Sequence, residues 1–258
     1  MNREGILRDV GHRPWPLPAG KWALTMRWTD LLFAHWPVPV EQIVVLLPAG
    51  FVVDTYEGSA WVGVVPFRME RVQLQGLPKL PGNHLFSEAN VRTYVRDRAS
   101  GQSGVYFLSL DASNPLAVIG ARSWYHLPYY FARMHAAWQD GWLSYSSQRL
   151  FSSKRAGLKV RYRAAGGEGH ALARSAPGTI EHFLTERYAL FTHSGKRLVR
   201  ADIHHQAWRL EPAEAEFEDL SVAAAQAIRL PSLSPLLHYS RVLDVFAWPP
   251  QTIQSSAQ

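Results

Sequence analysis

Residues 114–134 read NPLAVIGARSWYHLPYYFARM. Asn114 carries a side chain that accepts from the free N–H groups at a helix start, and Pro115 suits the first turn because no N–H is needed there. The spacing predicts a helix ending near residues 122–125. Leu127-Pro128 then breaks it, and Tyr129, Tyr130 and Phe131 open an aromatic strand. Arg122 and Arg133 lie close in sequence to the two phenols. Guanidinium and phenol groups gathered at one turn suit a carboxylate or an enolate oxygen. The plainer reading makes the tyrosines core filler and pairs the arginines with surface acids.

Strand signals surround this segment. Residues 51–56 and 60–72 flank Glu57-Gly58-Ser59, and residues 131–138 and 142–151 flank Gln139-Asp140-Gly141; both triplets read as hairpin turns. Further strands are expected at 88–96, 105–111, 158–165, 188–192, 198–210 and 236–248. Short helices are expected from Thr29 through Leu31, Leu32, Phe33 and Trp36 to the stop at Pro37, then over 41–47, over 178–186 behind a Thr179 cap, and over 222–228. A Pro/Gly loop covers 76–83. Many short strands with few helices predict an α+β chain that is mainly β, built as one curved sheet or barrel. Residues 1–20 read as an extended N-terminal arm, 21–250 as a single domain and 251–258 as a tail.

With 258 residues, 47% of them hydrophobic, the chain can bury a sizeable core. No apolar run approaches the ~20 residues that span a bilayer, and Met1-Asn2-Arg3-Glu4 is not followed by an apolar signal core. No membrane role is expected. The lack of cysteine excludes disulfides, thiolate catalysis and Cys-ligated zinc, and it fits a cytoplasmic location. The formal net charge is +6, but the arginines are scattered, so nucleic acid is not the expected partner. The densest basic group, Lys154-Arg155 with Lys159, Arg161 and Arg163, reads as a solvated strand face.

Three sets of residues could carry chemistry. On the strand at 88–95, Glu88, Asn90, Arg92 and Tyr94 share one face. Turned to water, this is an ordinary half-exposed strand; turned into a barrel, it would hold a polar ligand, with Arg92 as partner to a buried Glu88. Arg122, Tyr129, Tyr130 and Arg133 form the second set. In Asp202-Ile203-His204-His205, His204 shares a face with Asp202 and is a candidate base or ligand contact, whereas His205 points the other way. Adjacent histidines on a strand cannot easily ligate one metal, so no metal is expected. Walker, dinucleotide-binding, His-Glu-x-x-His and Gly-x-Ser-x-Gly signatures are absent, and no cofactor is expected. Trp61, Tyr106, Phe107, Trp124 and Trp142 are candidate walls of an apolar pocket.

Several segments together resemble one family. They are MRWTDLLFAHWPVP (26–39), AWVGVVPFRM (60–69), SEANVRTYVR (87–96), GVYFLSLDA (104–112) and ARSWYHLPYYFARM (121–134), followed by ERYAL, IHHQAW and HYSRVLDVFAW. The chain resembles the bacterial YqjF-like family of unknown function, within the acetoacetate decarboxylase-like superfamily. The resemblance implies a bent, mainly antiparallel β structure forming a cone or barrel around a pocket, with a few peripheral helices, and a homo-oligomer. It also implies that Glu88 matches an active-site glutamate, Tyr129 the Schiff-base lysine and Tyr130 the neighbouring lysine that lowers its pKa. A phenol cannot form an imine with a ketone, and Lys21, Lys79, Lys154, Lys159 and Lys196 lie in no comparable apolar context. The expected function is therefore that of a lyase or hydrolase acting on a small carbonyl or carboxylate compound. In this scheme Glu88, Tyr129 and Tyr130 are catalytic, and Asn90, Arg92, Arg122, Arg133 and His204 bind substrate. A non-catalytic small-molecule binding protein is the alternative, and a nucleic-acid-binding protein a more remote one.

Overall fold

Apolar residues on consecutive positions, rather than on alternate ones, mark the central strands, because both faces of the sheet are covered. The computed structural model describes residues 3–77, 85–166 and 174–253. Among them the strands are β1 (Leu24–Val38), β2 (Phe51–Val53), β3 (Ala60–Leu74), β4 (Leu85–Asp97), β5 (Ser103–Ala112), β6 (Tyr129–Gln139), β7 (Trp142–Arg149), β8 (Gly157–Ala164), β9 (Ala189–Ser194), β10 (Arg197–His205), β11 (Glu211–Asp219), β12 (Leu236–Ala247) and β13 (Gln251–Ile253). The helices are short: α1 (Arg3–Arg8), α2 (Val40–Val44), α3 (Pro115–Trp124), α4 (Ile180–Thr185) and α5 (Ser221–Ala224). None is long and apolar enough to cross a membrane.

The sheet closes on itself. Pairings run β5-β6-β7-β8-β11-β12-β1-β3-β4 and return to β5, giving a closed nine-strand barrel. Two strands fork to make a second ring. The first half of β12 pairs with β11 and its end with β10; the start of β5 pairs with β9 and its end with β6. Strands β1, β3, β4 and β5 are therefore common walls with a core on each side. Leu31, Phe33, Val65, Phe67 and Tyr94 enter one core; Leu32, Ala34, Trp36, Val62, Val64 and Val91 enter the other, against Leu143, Tyr145, Val160 and Tyr162.

This two-sided burial explains the main misreading of the sequence. The helix expected from Thr29 to Trp36 is instead the centre of β1. Leu31 to Ala34 are all buried, which mimics a helical face when period is the only guide. The polar Thr29-Asp30 that looked like a cap is a strand irregularity: Asp30 has φ 51° and interrupts the β1–β3 register. Its carboxylate accepts from Arg68 and from the Tyr239 phenol at 2.8 Å.

Other differences lie at the ends and at β11. Residues Arg3–Arg8 of the expected extended arm are helical, and Ile6 is buried against Phe246 and Trp248. Gln251 to Ile253 of the expected tail pair with β10; residues 254–258 lie outside the described residues, as do positions 78–83 of the Pro/Gly loop, including Lys79. The strand EPAEAEFED was not anticipated, because Glu, Ala and Asp are weak strand formers. Pairing with β8 sets Glu218, Glu216 and Glu214 against Lys159, Arg161 and Arg163 at 2.5, 2.7 and 2.7 Å. The basic stripe is thus matched by acids on its neighbour.

Candidate functional site

The chain around Asn114 builds one wall of a cavity. Asn114 accepts from the backbone N–H groups of Leu116 and Ala117, and α3 then carries the chain from β5 to the parallel strand β6. Ala117, Gly120 and Ala121 on α3 face a cavity of about 300 Å³, where their small side chains leave room. The opposite wall is β4. Its period of two aims Phe86, Glu88, Asn90 and Arg92 inward, and Trp28, Phe67, Phe107 and Trp208 complete a mostly apolar lining.

Glu88 meets Tyr129 here because β4, β5 and β6 are consecutive in the sheet. Glu88 lies opposite Ala112, and Leu110 opposite Tyr129. The Tyr129 phenol donates to Glu88 Oε2 at 2.7 Å, and both side chains are buried. Tyr145 reaches from the second core to donate to the Glu88 carbonyl oxygen at 2.7 Å, fixing the strand at this point. Burial pushes the Glu88 carboxyl up from an ordinary 4.5 to about 8, partly offset by the Tyr129 hydrogen bond, with Asp111 adding a smaller upward push. Burial, together with the nearby Glu88, holds the Tyr129 phenol well above its usual range. The pair is thus a neutral acid and a neutral phenol near pH 7, with a carboxyl able to lose or gain a proton close to working pH.

The remaining expected site residues divide. Asn90 and Arg92 line the cavity with Glu88 and Tyr129. Tyr130 does not: strand alternation turns it to the other face, where the Arg149 guanidinium lies 3.8 Å from its ring centroid. Arg122 and Arg133 are exposed and outside the cavity wall; Arg122 reaches only the Tyr129 carbonyl oxygen, at 3.4 Å. His204 is buried away from the cavity between the Ile6 carbonyl (2.8 Å) and Arg13 (3.2 Å). Its neighbour His205 lines the cavity instead, and burial lowers its pKa to about 3, so it stays neutral. Among the expected aromatic walls, Phe107 and Trp124 take part, whereas Trp61, Tyr106 and Trp142 do not. Trp142 lies on the surface under Arg161 and Arg163.

Sequence reasoning missed Trp28, Trp208, Thr185 and Arg187 as cavity residues. Arg187 had a usable signal: a charged residue directly before the apolar run Tyr188-Ala189-Leu190-Phe191. It is buried and paired with Asp54 at 2.7 Å. Among the described residues no cluster of three or more His, Asp or Glu side chains could hold a metal ion, and no lysine lines the cavity.

Gly63 makes the Arg92 end of the cavity possible. It lies opposite Arg92 in the β3–β4 register. A Cβ there would sit 2.9 Å from the His35 ring and 3.3 Å from Arg92 Cγ. His35 cannot yield easily, because its Nε2 is held at 2.6 Å by the Tyr94 hydroxyl. Gly63→Ala is expected to lower stability by about 1–3 kcal/mol through overpacking and to displace Arg92. Denaturant unfolding and a crystal structure of the variant check this; an unshifted midpoint with Arg92 in place would contradict it.

The mainly β barrel, forked around a cavity with an inward-facing glutamate, has the acetoacetate decarboxylase-like fold. The fold matches solved structures of that kind. An acetoacetate decarboxylase from Legionella pneumophila is matched at TM-score 0.60 and 13% identity, over 97% of this chain and 96% of the other. An acetoacetate decarboxylase-like enzyme from Sphingomonas wittichii RW1 is matched at TM-score 0.59 and 14% identity, over 94% and 98%. The enduracididine biosynthesis enzyme MppR complexed with pyruvate is matched at 0.62 and 11%, over 93% of both chains. The chain belongs to the DUF2071 family, described as an uncharacterized conserved protein, whose model matches residues 25–244. It is also 41% identical over 238 residues to the uncharacterized protein YqjF of Bacillus subtilis (strain 168), covering 90% of this chain and 93% of that protein.

Proposed function

We propose that the cavity binds a small carbonyl or carboxylate compound and that Glu88, with Tyr129, moves a proton at the carbon next to the carbonyl, the enolisation step that lyase chemistry on such a compound would require. The observation that carries this reading is the buried Glu88–Tyr129 pair, 2.7 Å apart in an apolar cavity, with the carboxyl raised to about 8. In the proposed step the ionised Glu88 takes the α-proton and the C–H electron pair moves onto the carbonyl oxygen as an enolate. The protonated Glu88 returns a proton in the reverse direction, so one residue serves both. Schiff-base decarboxylation is not part of this proposal, because Tyr129 occupies the position that the resemblance gives to the imine-forming lysine. The structural neighbour that holds pyruvate lends support to a keto compound as ligand.

The mostly apolar wall favours a second reading, a binding protein that does not transform its ligand. Proton exchange separates the two. Ketones and keto acids, including pyruvate and 2-nonanone, are incubated with the protein in D2O, and loss of the α-proton signal is followed by NMR. The first reading predicts exchange above the buffer rate, abolished in Glu88→Gln and reduced about 10- to 100-fold in Tyr129→Phe. Ligand-dependent thermal stabilisation without exchange would establish the binding reading; neither effect with any compound would overturn both.

A further inference from the structure

The cavity carries two polar ends. At one, Glu88 and Tyr129 form a neutral pair. At the other, positive charge exceeds negative. The guanidinium groups of Arg92 and Arg187 flank the same ring, Tyr94, at 5.8 and 5.2 Å from its centroid. Asp54 neutralises Arg187 at 2.7 Å but is shared with Arg96 at 2.6 Å. Arg92 pairs with no carboxylate among the described residues. Its contacts are the Leu184 carbonyl oxygen at 3.4 Å, the Tyr94 hydroxyl and the faces of Phe33 and Tyr94, and its Nε is buried without a partner. A guanidinium in an apolar wall, short of acceptors, is costly unless an anion completes it.

The spacing between the ends then constrains that anion. Glu88 and Arg92 are four residues apart on one face of β4, opposite Phe67 and Gly63. At about 3.3 Å per residue their Cα atoms lie about 13 Å apart. The Arg92 guanidinium lies over the rings of Phe33 and Tyr94, 5.1 and 5.8 Å from their centroids. The exposed members of the wall, Leu116, Gly120 and Trp124, belong to α3, whereas Thr185 and Arg187 at the Arg92 end are buried.

We propose that Arg92 binds the carboxylate of an elongated substrate whose reacting carbonyl sits several carbon atoms away, at Glu88 and Tyr129. This rests on the enolisation reading above and narrows its substrate class. The ligand is an oxo-carboxylic acid with an apolar spacer, rather than a 2-oxo acid such as pyruvate, in which the two groups are adjacent. The spacer lies along Val65, Phe107 and Leu110, and the carboxylate enters first, past α3.

A chain-length series tests this. Pyruvate, levulinate, 6-oxoheptanoate and 8-oxononanoate are titrated against quenching of the cavity tryptophans, with neutral 2-nonanone as control. Affinity is expected to rise at least tenfold from pyruvate to the longer acids. Arg92→Gln is expected to remove that gain while leaving 2-nonanone affinity within about twofold, since only a charge-assisted contact is lost. Best affinity for pyruvate, or equal loss of the acids and 2-nonanone in Arg92→Gln, would overturn the proposal, as would no binding of any acid. Proton exchange on the same compounds reports separately on Glu88. Tight, Arg92-dependent binding of the long acids without exchange would sustain the anion site and refute the enolisation chemistry.

Discussion

Glu88→Gln is expected to be more stable than the parent protein at pH 8–9 and nearly equal to it at pH 4.5. The reason is the direction of the Glu88 shift. Its carboxyl ionises near 4.5 in an unfolded chain but at about 8 in the folded cavity. Between those values the native state holds a proton that the unfolded state has released. Stability from this group is therefore complete below about 4.5 and is lost as pH rises to about 8. The full loss is about 4–5 kcal/mol, on the scale of 1.36 kcal/mol per pKa unit. Glutamine keeps the shape and removes the titration, so the difference between the two proteins should open across this window and level off above it. Urea unfolding at pH 5, 7 and 9 measures it. Parallel stability profiles would mean that Glu88 titrates normally, and the acid–base role proposed for it would go with that result.

Asp111→Ala is expected to destabilise the protein by about 3–5 kcal/mol, the cost of leaving a buried charge without its partner. Asp111 is fully buried on β5, and its Oδ1 accepts from Arg149 Nε at 2.9 Å. The Arg149 guanidinium is sandwiched between this carboxylate and the Tyr130 ring. Removing the carboxylate strands the guanidinium behind β6, the strand that presents Tyr129 to the cavity. The double change Asp111→Leu with Arg149→Met should recover most of the loss, because replacing both ions by apolar groups restores a matched core. Thermal unfolding of both variants checks this. Equal destabilisation by the single and double changes would show that the pair contributes by shape rather than by charge.

Much of the site was legible because it lies on one strand. Period two on residues 88–95 placed Glu88, Asn90 and Arg92 on a common face, and the Asn114-Pro115 helix start located the crossover that delivers Tyr129. The residues that failed did so for one reason. Arg122, Tyr130 and Arg133 were grouped with Tyr129 because they are near it in sequence, but alternation turns Tyr130 to the other face, Arg122 lies on the exposed side of α3, and Arg133, in phase with Tyr129, lies exposed beyond the stretch of β6 that pairs with β5. His204 and His205 show the reverse. The local pattern separated their faces correctly, yet nothing local could say that the His205 face was the one turned to the cavity.

The sequence by itself determined the β-rich class, the hairpin at 140–141, the inward candidates on β4 and the family, because these depend on local conformational preference and residue order; at 57–58 the expected turn forms, but β2 before it pairs with β4 and not with β3, so the expected hairpin does not. Only the tertiary structure decided that β1 is a strand and not a helix, since a segment buried on both faces has no period to read. It alone brought Glu88 to Tyr129 across the β4-β5-β6 pairing and placed Arg92 of β4 near Arg187 of the α4–β9 connection, segments distant in the chain. Long-range pairing, not local propensity, chooses which side chains share an enclosed space, and the proton-transfer pair and the anion end both arise from that choice.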